Sequence, residues 1–116
     1  MKLILRCALL SLAFCATWIC AQESPKVIEI HAKRFSFTPA EITLVKGETV
    51  TLALTADDTT HGFSIPELNV NATLNKGKTV RVEVTPSQTG TFQGQCNHFC
   101  GAGHGSMLFK VTVKDK

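Results

Sequence analysis

This 116-residue sequence has little net charge, no tyrosine and no sustained helical periodicity. Twelve basic and nine acidic side chains give a formal charge of +3, without the concentrated basic footprint of a nucleic-acid-binding protein, so no nucleic-acid partner is expected. After position 21 no apolar run follows the 3.6-residue period of an amphipathic helix, which excludes a helical bundle. Repeats, low-complexity tracts and linkers are also absent from residues 22–116, which predicts one domain.

A single long apolar run lies at the N terminus. Lys2 and Arg6 precede an apolar stretch over residues 7–19, and Ala21 offers a small residue at a cleavage point, which is the pattern of a secretory signal peptide. We therefore predict a signal peptide over residues 1–21 and a periplasmic or otherwise exported domain over residues 22–116. The alternative is an uncleaved membrane anchor over residues 3–21, because the stretch approaches the roughly 20 apolar residues that span a bilayer.

Apolar residues alternate with a period of two along the rest of the chain, which is typical of half-buried strands. The alternating sets are Ile28, Ile30 and Ala32; Ile42 and Leu44; Val50, Leu52 and Leu54; Val80, Val82 and Val84; and Phe109, Val111 and Val113. Glycine and proline turn signals separate these sets, so we predict an all-β sandwich or barrel. His31 alternates with buried positions and should face solvent.

Two segments between the predicted strands contain the candidate functional residues. The first is a loop over residues 56–74 that contains His61, and the second connects a short strand over residues 91–95 with a last strand that starts near Met107. Loops on a rigid scaffold commonly hold functional residues. If the flanking strands are neighbours, the two loops come together.

Five side chains that suit soft transition metals lie within twelve residues of the second loop: Cys96, His98, Cys100, His104 and Met107. Thiolate, imidazole and thioether together favour copper over hard cations, because sulfur stabilises Cu(I) and imidazole binds both oxidation states. Zinc would accept two cysteines and two histidines, but it gains nothing from the methionine and the spacing differs from the usual zinc fingers. A one-copper blue site leaves the second cysteine without a role, whereas two bridged coppers use both cysteines.

A disulfide is the alternative use of the two cysteines. Cys96 and Cys100 are the only cysteines after position 21, and an oxidising compartment favours a disulfide between such a pair. The sequence is thus also compatible with a metal-free domain closed by this bond. In a copper protein the same bond could form whenever copper is absent, because a close thiolate pair is open to exchange.

The loop resembles a known metal-binding segment. Its sequence, CNHFCGAGHGSM over residues 96–107, is similar to the CuA loop of cytochrome c oxidase subunit II, whose pattern is C-x3-C-x3-H-x2-M with an earlier histidine. The earlier run HGFSIP, which begins at His61, resembles the corresponding stretch of the B-type oxidases. The resemblance extends over nearly all of residues 33–114.

This resemblance implies a cupredoxin-like Greek-key β-sandwich or barrel and a role for each matching residue. Cys96 and Cys100 would bridge two copper ions, His61 would bind one ion and His104 the other. Met107 would be a weak ligand. His98 would contribute its backbone carbonyl, although its imidazole departs from the carboxylate or amide residue that many CuA loops carry there.

Electron transfer is the function that the resemblance implies, with a c-type cytochrome or an oxidase catalytic subunit as redox partner. No nucleophile with a base and no recognisable paired carboxylates lie outside the metal loop, so we expect no catalysis by the chain alone, although it could serve as a subunit of an oxidase. The alternatives are a mononuclear cupredoxin and a periplasmic copper carrier. Phe63, Phe92 and Phe99 flank the expected ligands and should pack in the core, with Phe63 or Phe99 also covering the metal.

Overall fold

The computed structural model describes residues 26–116, which form nine strands and two short 3₁₀ turns. The strands are β1 (Lys26–Lys33), β2 (Ser36–Thr38), β3 (Glu41–Val45), β4 (Val50–Ala56), β5 (His61–Ile65), β6 (Val70–Leu74), β7 (Thr79–Val84), β8 (Gly90–Gln95) and β9 (Leu108–Lys114). The predicted signal peptide over residues 1–21 and the alternative anchor over residues 3–21 lie outside the described residues. Within the described range, no helix is long and apolar enough to cross a membrane.

The strands form two sheets. One sheet has the order β2-β1-β4-β7, and the other has the order β3-β9-β8-β5-β6. Parallel pairs join β1 to β4 and β3 to β9, while the other pairs are antiparallel. Parallel neighbours cannot be joined by a tight hairpin, so the chain must cross between the sheets. The predicted all-β sandwich is confirmed.

Alternating residues from both sheets fill one core, as predicted. Ile30 and Leu54 are buried on one side, and Phe109 and Val111 on the other. The rings of Phe37, Phe63 and Phe109 meet edge to face at the centre, with centroid separations of 5.3, 5.9 and 5.1 Å. Burying a Phe side chain contributes about 1.5 to 3 kcal/mol, so this trio contributes strongly to the packing of the core.

The prediction of a loop over residues 56–74 was wrong for most of that segment. Strands β5 and β6 form an antiparallel pair there, around a 3₁₀ turn over Pro66–Leu68 that ends at Asn69 with φ of 56°. Strand β6 alternates buried and exposed residues, but four of the five residues of β5 are buried. A five-residue strand that is covered on both faces lacks the alternation by which strands are recognised.

The sheet order brings the two predicted functional segments together. Strand β8 lies between β5 and β9, and Ser64 of β5 is opposite Gln95 at the end of β8. Because β5 and β8 are antiparallel, the chain that leaves β8 runs towards the start of β5, where His61 lies. The expected meeting of the two segments is therefore confirmed.

Candidate metal centre

The metal loop, residues 96–107, connects β8 to β9 and is closed at its base. Gln95 pairs with Leu108, and the Cys96 N–H donates to the Met107 carbonyl over 3.1 Å. A 3₁₀ turn over His104–Ser106 ends the loop, with the Met107 N–H donating to the His104 carbonyl. These bonds fold both cysteines, His104 and Met107 back over the hairpin.

Of the three glycines in the loop, only Gly101 has a backbone conformation that excludes most side chains, with φ of 139°. Gly103 is limited by space instead, because a Cβ there would lie 2.5 Å from the ring of Phe35. At Gly105 a Cβ would meet nothing within 4 Å. The close folding of the loop thus requires glycine at two of these three positions.

His61 is the first residue of β5 and is completely buried. The next residue, Gly62, lies directly against the metal loop, since a Cβ there would collide with Oδ1 of Asn97 and lie 2.8 Å from the backbone N of His98. The Gly62 N–H points at the sulfur of Cys96 over 3.4 Å. Glycine therefore lets the backbone of β5 approach the loop closely enough to bring His61 to the cysteines.

The four strongest donor atoms form a continuous series. His61 Nδ1 is 3.9 Å from Cys96 Sγ, Cys96 Sγ is 3.7 Å from Cys100 Sγ, and Cys100 Sγ is 3.8 Å from His104 Nδ1. Each cysteine sulfur thus lies beside one imidazole nitrogen and beside the sulfur of the other cysteine. Met107 Sδ lies 3.9 Å from Cys100 Sγ, on the side of His104.

These spacings fit atoms that share a metal ion. Metal–sulfur and metal–nitrogen bonds of about 2.3 and 2.0 Å, as at zinc, allow two ligands of one ion to lie at most about 4.6 Å apart for two sulfurs and about 4.3 Å for sulfur and nitrogen. The three distances in the series, and the distance from Cys100 Sγ to Met107 Sδ, all lie below these limits. The ligand atoms of His61, Cys96 and Cys100 lie within 4.8 Å of one another.

His98 enters the site through its backbone. Its carbonyl oxygen accepts from Cys96 Sγ over 3.1 Å, while the residue itself is exposed. A carbonyl in this position can serve as a further, weaker oxygen ligand. The imidazole belongs to the outer surface of the loop.

Burial divides the site into a dry side and a wet side. Cys96, Cys100 and Met107 are buried like His61, whereas His104 is half-buried. Phe63 packs in the core as predicted, and Phe92 is partly buried against it. Core packing was wrong for Phe99, which is 75 % exposed with its ring centroid 5.8 Å from that of His104. Access from solvent is therefore on the side of His104 and Phe99.

Both cysteines are free thiols in this arrangement. Their sulfurs, 3.7 Å apart, are well beyond the roughly 2.05 Å of a disulfide bond. Burial, together with the neighbouring Cys96, raises the pKa of the Cys100 thiol to about 11. A metal that binds here must therefore displace a proton that the metal-free protein holds firmly.

Asp58 and Arg34 adjoin the donor atoms and were not predicted. The Asp58 carboxylate accepts from His61 Nε2 over 2.7 Å and from the Arg34 N–H over 2.9 Å. Burial opposes ionisation of Asp58, but hydrogen bonds from Arg34 and His61 outweigh it and lower the pKa to about 2. A carboxylate three residues before a candidate histidine ligand was a usable signal, because ligand histidines usually donate their second N–H to such a group. The position of Arg34 had no comparable signal.

His31 takes no part in the site. It is exposed, as its place in the alternation predicted, and its Nδ1 lies 2.9 Å from Asp57 Oδ1. Both side chains of this pair are more than 40 % exposed, so the pair adds little stability.

Comparison with known sequences finds relatives named nitrous-oxide reductase and cytochrome c oxidase subunit 2. The chain is 37 % identical over 91 residues to a nitrous-oxide reductase of Cupriavidus necator, which covers 75 % of this chain and 14 % of that protein. It is 41 % identical over 70 residues to a probable cytochrome c oxidase subunit 2 of Streptomyces coelicolor, which covers 60 % of this chain and 22 % of that protein. The chain thus spans less than a quarter of the length of either relative.

Comparison with solved structures supports the same fold. The periplasmic domain of subunit II of cytochrome oxidase from Bradyrhizobium japonicum superposes with a TM-score of 0.73 at 18 % identity, covering 82 % of this chain and 88 % of that one. Auracyanin A, a "blue" copper protein from Chloroflexus aurantiacus, superposes with a TM-score of 0.64 at 21 % identity, covering 78 % of this chain and all of that one.

The sequence also matches the profile of the cupredoxin-like domain over residues 5–109. This match includes both the β5 segment and the metal loop, and the family implies copper as the bound metal. The soft donor set of two thiols, two imidazoles and a thioether agrees with that metal. The chain therefore belongs to the cupredoxin-like domain family.

Proposed function

We propose that this chain is an electron-transfer domain that holds two copper ions in a CuA-type centre. The observation that carries the proposal is the series His61, Cys96, Cys100, His104, in which two sulfurs lie together and each has one imidazole beside it. In a binuclear centre two bridging sulfurs need one terminal imidazole for each metal ion. This donor set supplies both.

Each remaining contact has a role in this proposal. Cys96 and Cys100 bridge the ions, while His61 and His104 each complete one end. Met107 is a weak ligand on the His104 side, since its sulfur is 3.9 Å from Cys100 Sγ. The His98 carbonyl, 3.1 Å from Cys96 Sγ, is a weak ligand on the His61 side.

Copper supplies the one-electron redox chemistry, and the chain supplies a rigid and mostly dry cage. His61 and Met107 are completely buried, and Cys96 and Cys100 nearly so. Exclusion of water and fixed ligand positions limit reorganisation when an electron arrives or leaves. No substrate bond is made or broken, so the chain transfers electrons rather than catalysing a reaction by itself.

The redox partners belong to the proposal too. The matched relatives include a protein named cytochrome c oxidase subunit 2 and a nitrous-oxide reductase, but the chain spans only 22 % and 14 % of them. We expect a c-type cytochrome or an oxidase catalytic subunit to exchange electrons with the centre in the periplasm. The half-buried His104 edge, beside the exposed ring of Phe99, is the accessible side of the site.

Copper content and spectra of the purified protein test the proposal. We expect two copper ions per chain and an electron-paramagnetic signal in which one unpaired electron is shared by both ions. The Cys96→Ser and Cys100→Ser variants should each lose the binuclear signal. His31→Ala, which changes an exposed histidine outside the site, is the matched control and should keep it. A Cys100→Ser protein with the unchanged two-copper signal would contradict the assignment.

A mononuclear copper site is the second candidate, favoured by the structural similarity to auracyanin A. Cys100 Sγ lies 3.8 Å from His104 Nδ1 and 3.9 Å from Met107 Sδ. Cysteine, histidine and methionine are the ligand types of a blue copper centre. This alternative predicts one copper ion per chain, and a Cys96→Ser variant that keeps it. A copper carrier would instead bind exchangeable Cu(I) without a reversible redox couple.

A further inference from the structure

Arg34 lies in the turn between β1 and β2 and contacts both segments that carry the donor atoms. Its side-chain Nε donates to the backbone carbonyl of Cys100 over 2.9 Å. Its backbone N–H donates to Oδ2 of Asp58, also over 2.9 Å, and the other oxygen of Asp58 accepts from His61 Nε2. One residue thus connects the His61 segment with the Cys100 segment on the outer side of the site.

The same turn is fixed to both segments by further contacts. The Asp57 N–H donates to the carbonyl of Ala32 over 2.9 Å, which joins the end of β1 to the chain before His61. On the other side, a Cβ at Gly101 or Gly103 would lie 2.9 or 2.5 Å from the ring of Phe35, so this ring rests on the backbone of the metal loop. These contacts hold the turn in place, so the position of Arg34 does not depend only on the hydrogen bond of its own side chain.

We propose that Arg34 is a positioning residue that holds the Cys100 segment against the Asp58–His61 pair, so that both halves of the donor set are in place before a metal binds. The inference rests on the proposed metal site but not on the number of copper ions. Cys100 is a ligand in either arrangement, and a one-copper blue site needs two imidazoles, which His61 and His104 would supply. It concerns the supporting hydrogen bonds, and such outer partners typically change metal affinity by about 10- to 100-fold.

An arginine suits this task better than a lysine. Its planar guanidinium directs Nε–H at the Cys100 carbonyl while the rest of the fork stays at the surface. It also keeps a fixed positive charge near the Cys100 sulfur. That charge opposes the more positive, oxidised state of a bound metal, so its removal should lower the reduction potential.

Two variants separate the hydrogen bond from the charge. Arg34→Met keeps an apolar stem but removes both the donor and the charge, whereas Arg34→Lys keeps the charge without the planar fork. Lys33→Met is the matched control, because it removes the same charge from the adjacent exposed residue of β1. Arg34 lies at the surface, so all three proteins should fold, and thermal unfolding checks this.

The first measurement needs no metal. In the reduced, metal-free protein, amide hydrogen exchange over residues 57–63 and 96–107 should be faster in Arg34→Met than in Lys33→Met or the unchanged protein. The second uses Cu(I) with a competing chelator: affinity should fall by about 10- to 100-fold in Arg34→Met and also weaken in Arg34→Lys. The reduction potential should fall in Arg34→Met and stay near its original value in Arg34→Lys.

The proposal is overturned if Arg34→Met matches Lys33→Met in both amide exchange and Cu(I) affinity. This result is distinguishable from failure of the proposed function. If the unchanged protein gives a one-copper signal, the electron-transfer assignment to a CuA centre fails, while the exchange comparison in the metal-free protein still decides the role of Arg34.

Discussion

The backbone N–H of Gly62 lies 3.4 Å from the sulfur of Cys96. This contact joins β5 to the metal loop at the residue that follows His61, so one strand end supplies an imidazole and a hydrogen bond to a thiol. Donation to a metal-bound thiolate draws electron density from the sulfur and helps to set the potential of the metal. It exists only because residue 62 has no side chain.

Gly62→Ala should therefore destabilise the fold and disturb the site. The added Cβ would collide with Oδ1 of Asn97 and lie 2.8 Å from the backbone N of His98, so backbone must move. Overpacking of this kind costs about 1 to 3 kcal/mol. Denaturant unfolding and the copper spectrum measure both effects. Gly105→Ala is the control, since a Cβ there meets nothing within 4 Å, and equal effects at both glycines would contradict the prediction.

Met107→Leu should leave the copper count unchanged and shift the reduction potential. Met107 is fully buried, and a swap of similar volume costs less than about 1.5 kcal/mol. Its sulfur is 3.9 Å from Cys100 Sγ, so its loss removes only a weak ligand. Voltammetry and metal analysis make the test. Loss of copper in a folded Met107→Leu protein would show that the thioether is a principal ligand.

The part of the fold that could be predicted from sequence is the part that local pattern controls. Alternation identified β1, β3, β4, β7 and β9, because a half-buried strand repeats every two residues. Strand β5 was missed because Gly62 and Phe63 are both buried, one under the metal loop and one in the core. Its identity depends on what covers it, and that lies far away in the sequence.

In the candidate site, too, the residues recognised from local sequence pattern were predicted and those defined by distant contacts were not. Cys96, Cys100, His104 and Met107 were found because they are close together in the chain, and His61 was found through the resemblance of its neighbours. Arg34 was missed because its contacts join segments 24 or more residues apart. Asp58 was missed although it lies only three residues before His61, a spacing that the sequence shows.

The outer surface of the loop was mispredicted at Phe99, which is 75 % exposed. A large aromatic residue between two candidate ligands is usually expected to pack inward, but residues 97–99 of the loop are all exposed. Its exposure places an apolar ring beside His104 on the accessible side of the site.

His98→Ala should keep the metal content of the unchanged protein. The contact to Cys96 is made by the His98 carbonyl, which alanine retains, and the residue is exposed. Copper stoichiometry and the electron-paramagnetic spectrum should therefore stay the same. Asn97→Ala is a useful comparison, because it removes the hydrogen bond from Asn97 to Asn71 on the same surface. A change in copper count in His98→Ala alone would show that the imidazole binds metal.

Asp58 should make the stability of the metal-free protein fall in acid. Hydrogen bonds from Arg34 and His61 outweigh the effect of burial and lower the pKa of Asp58 from 3.8 to about 2. A lowered pKa stabilises the fold above the unfolded value, and this contribution, roughly 2 kcal/mol, is lost as pH falls from about 4 towards 2. Asp58→Asn should therefore be less stable than the unchanged protein at neutral pH, and the two should converge near pH 2. Asp57→Asn, at the exposed partner of His31, is the control. Denaturant unfolding at a series of pH values measures the difference, and a constant gap between Asp58→Asn and the unchanged protein from pH 6 to pH 2 would show that the carboxylate acts through shape and not through charge.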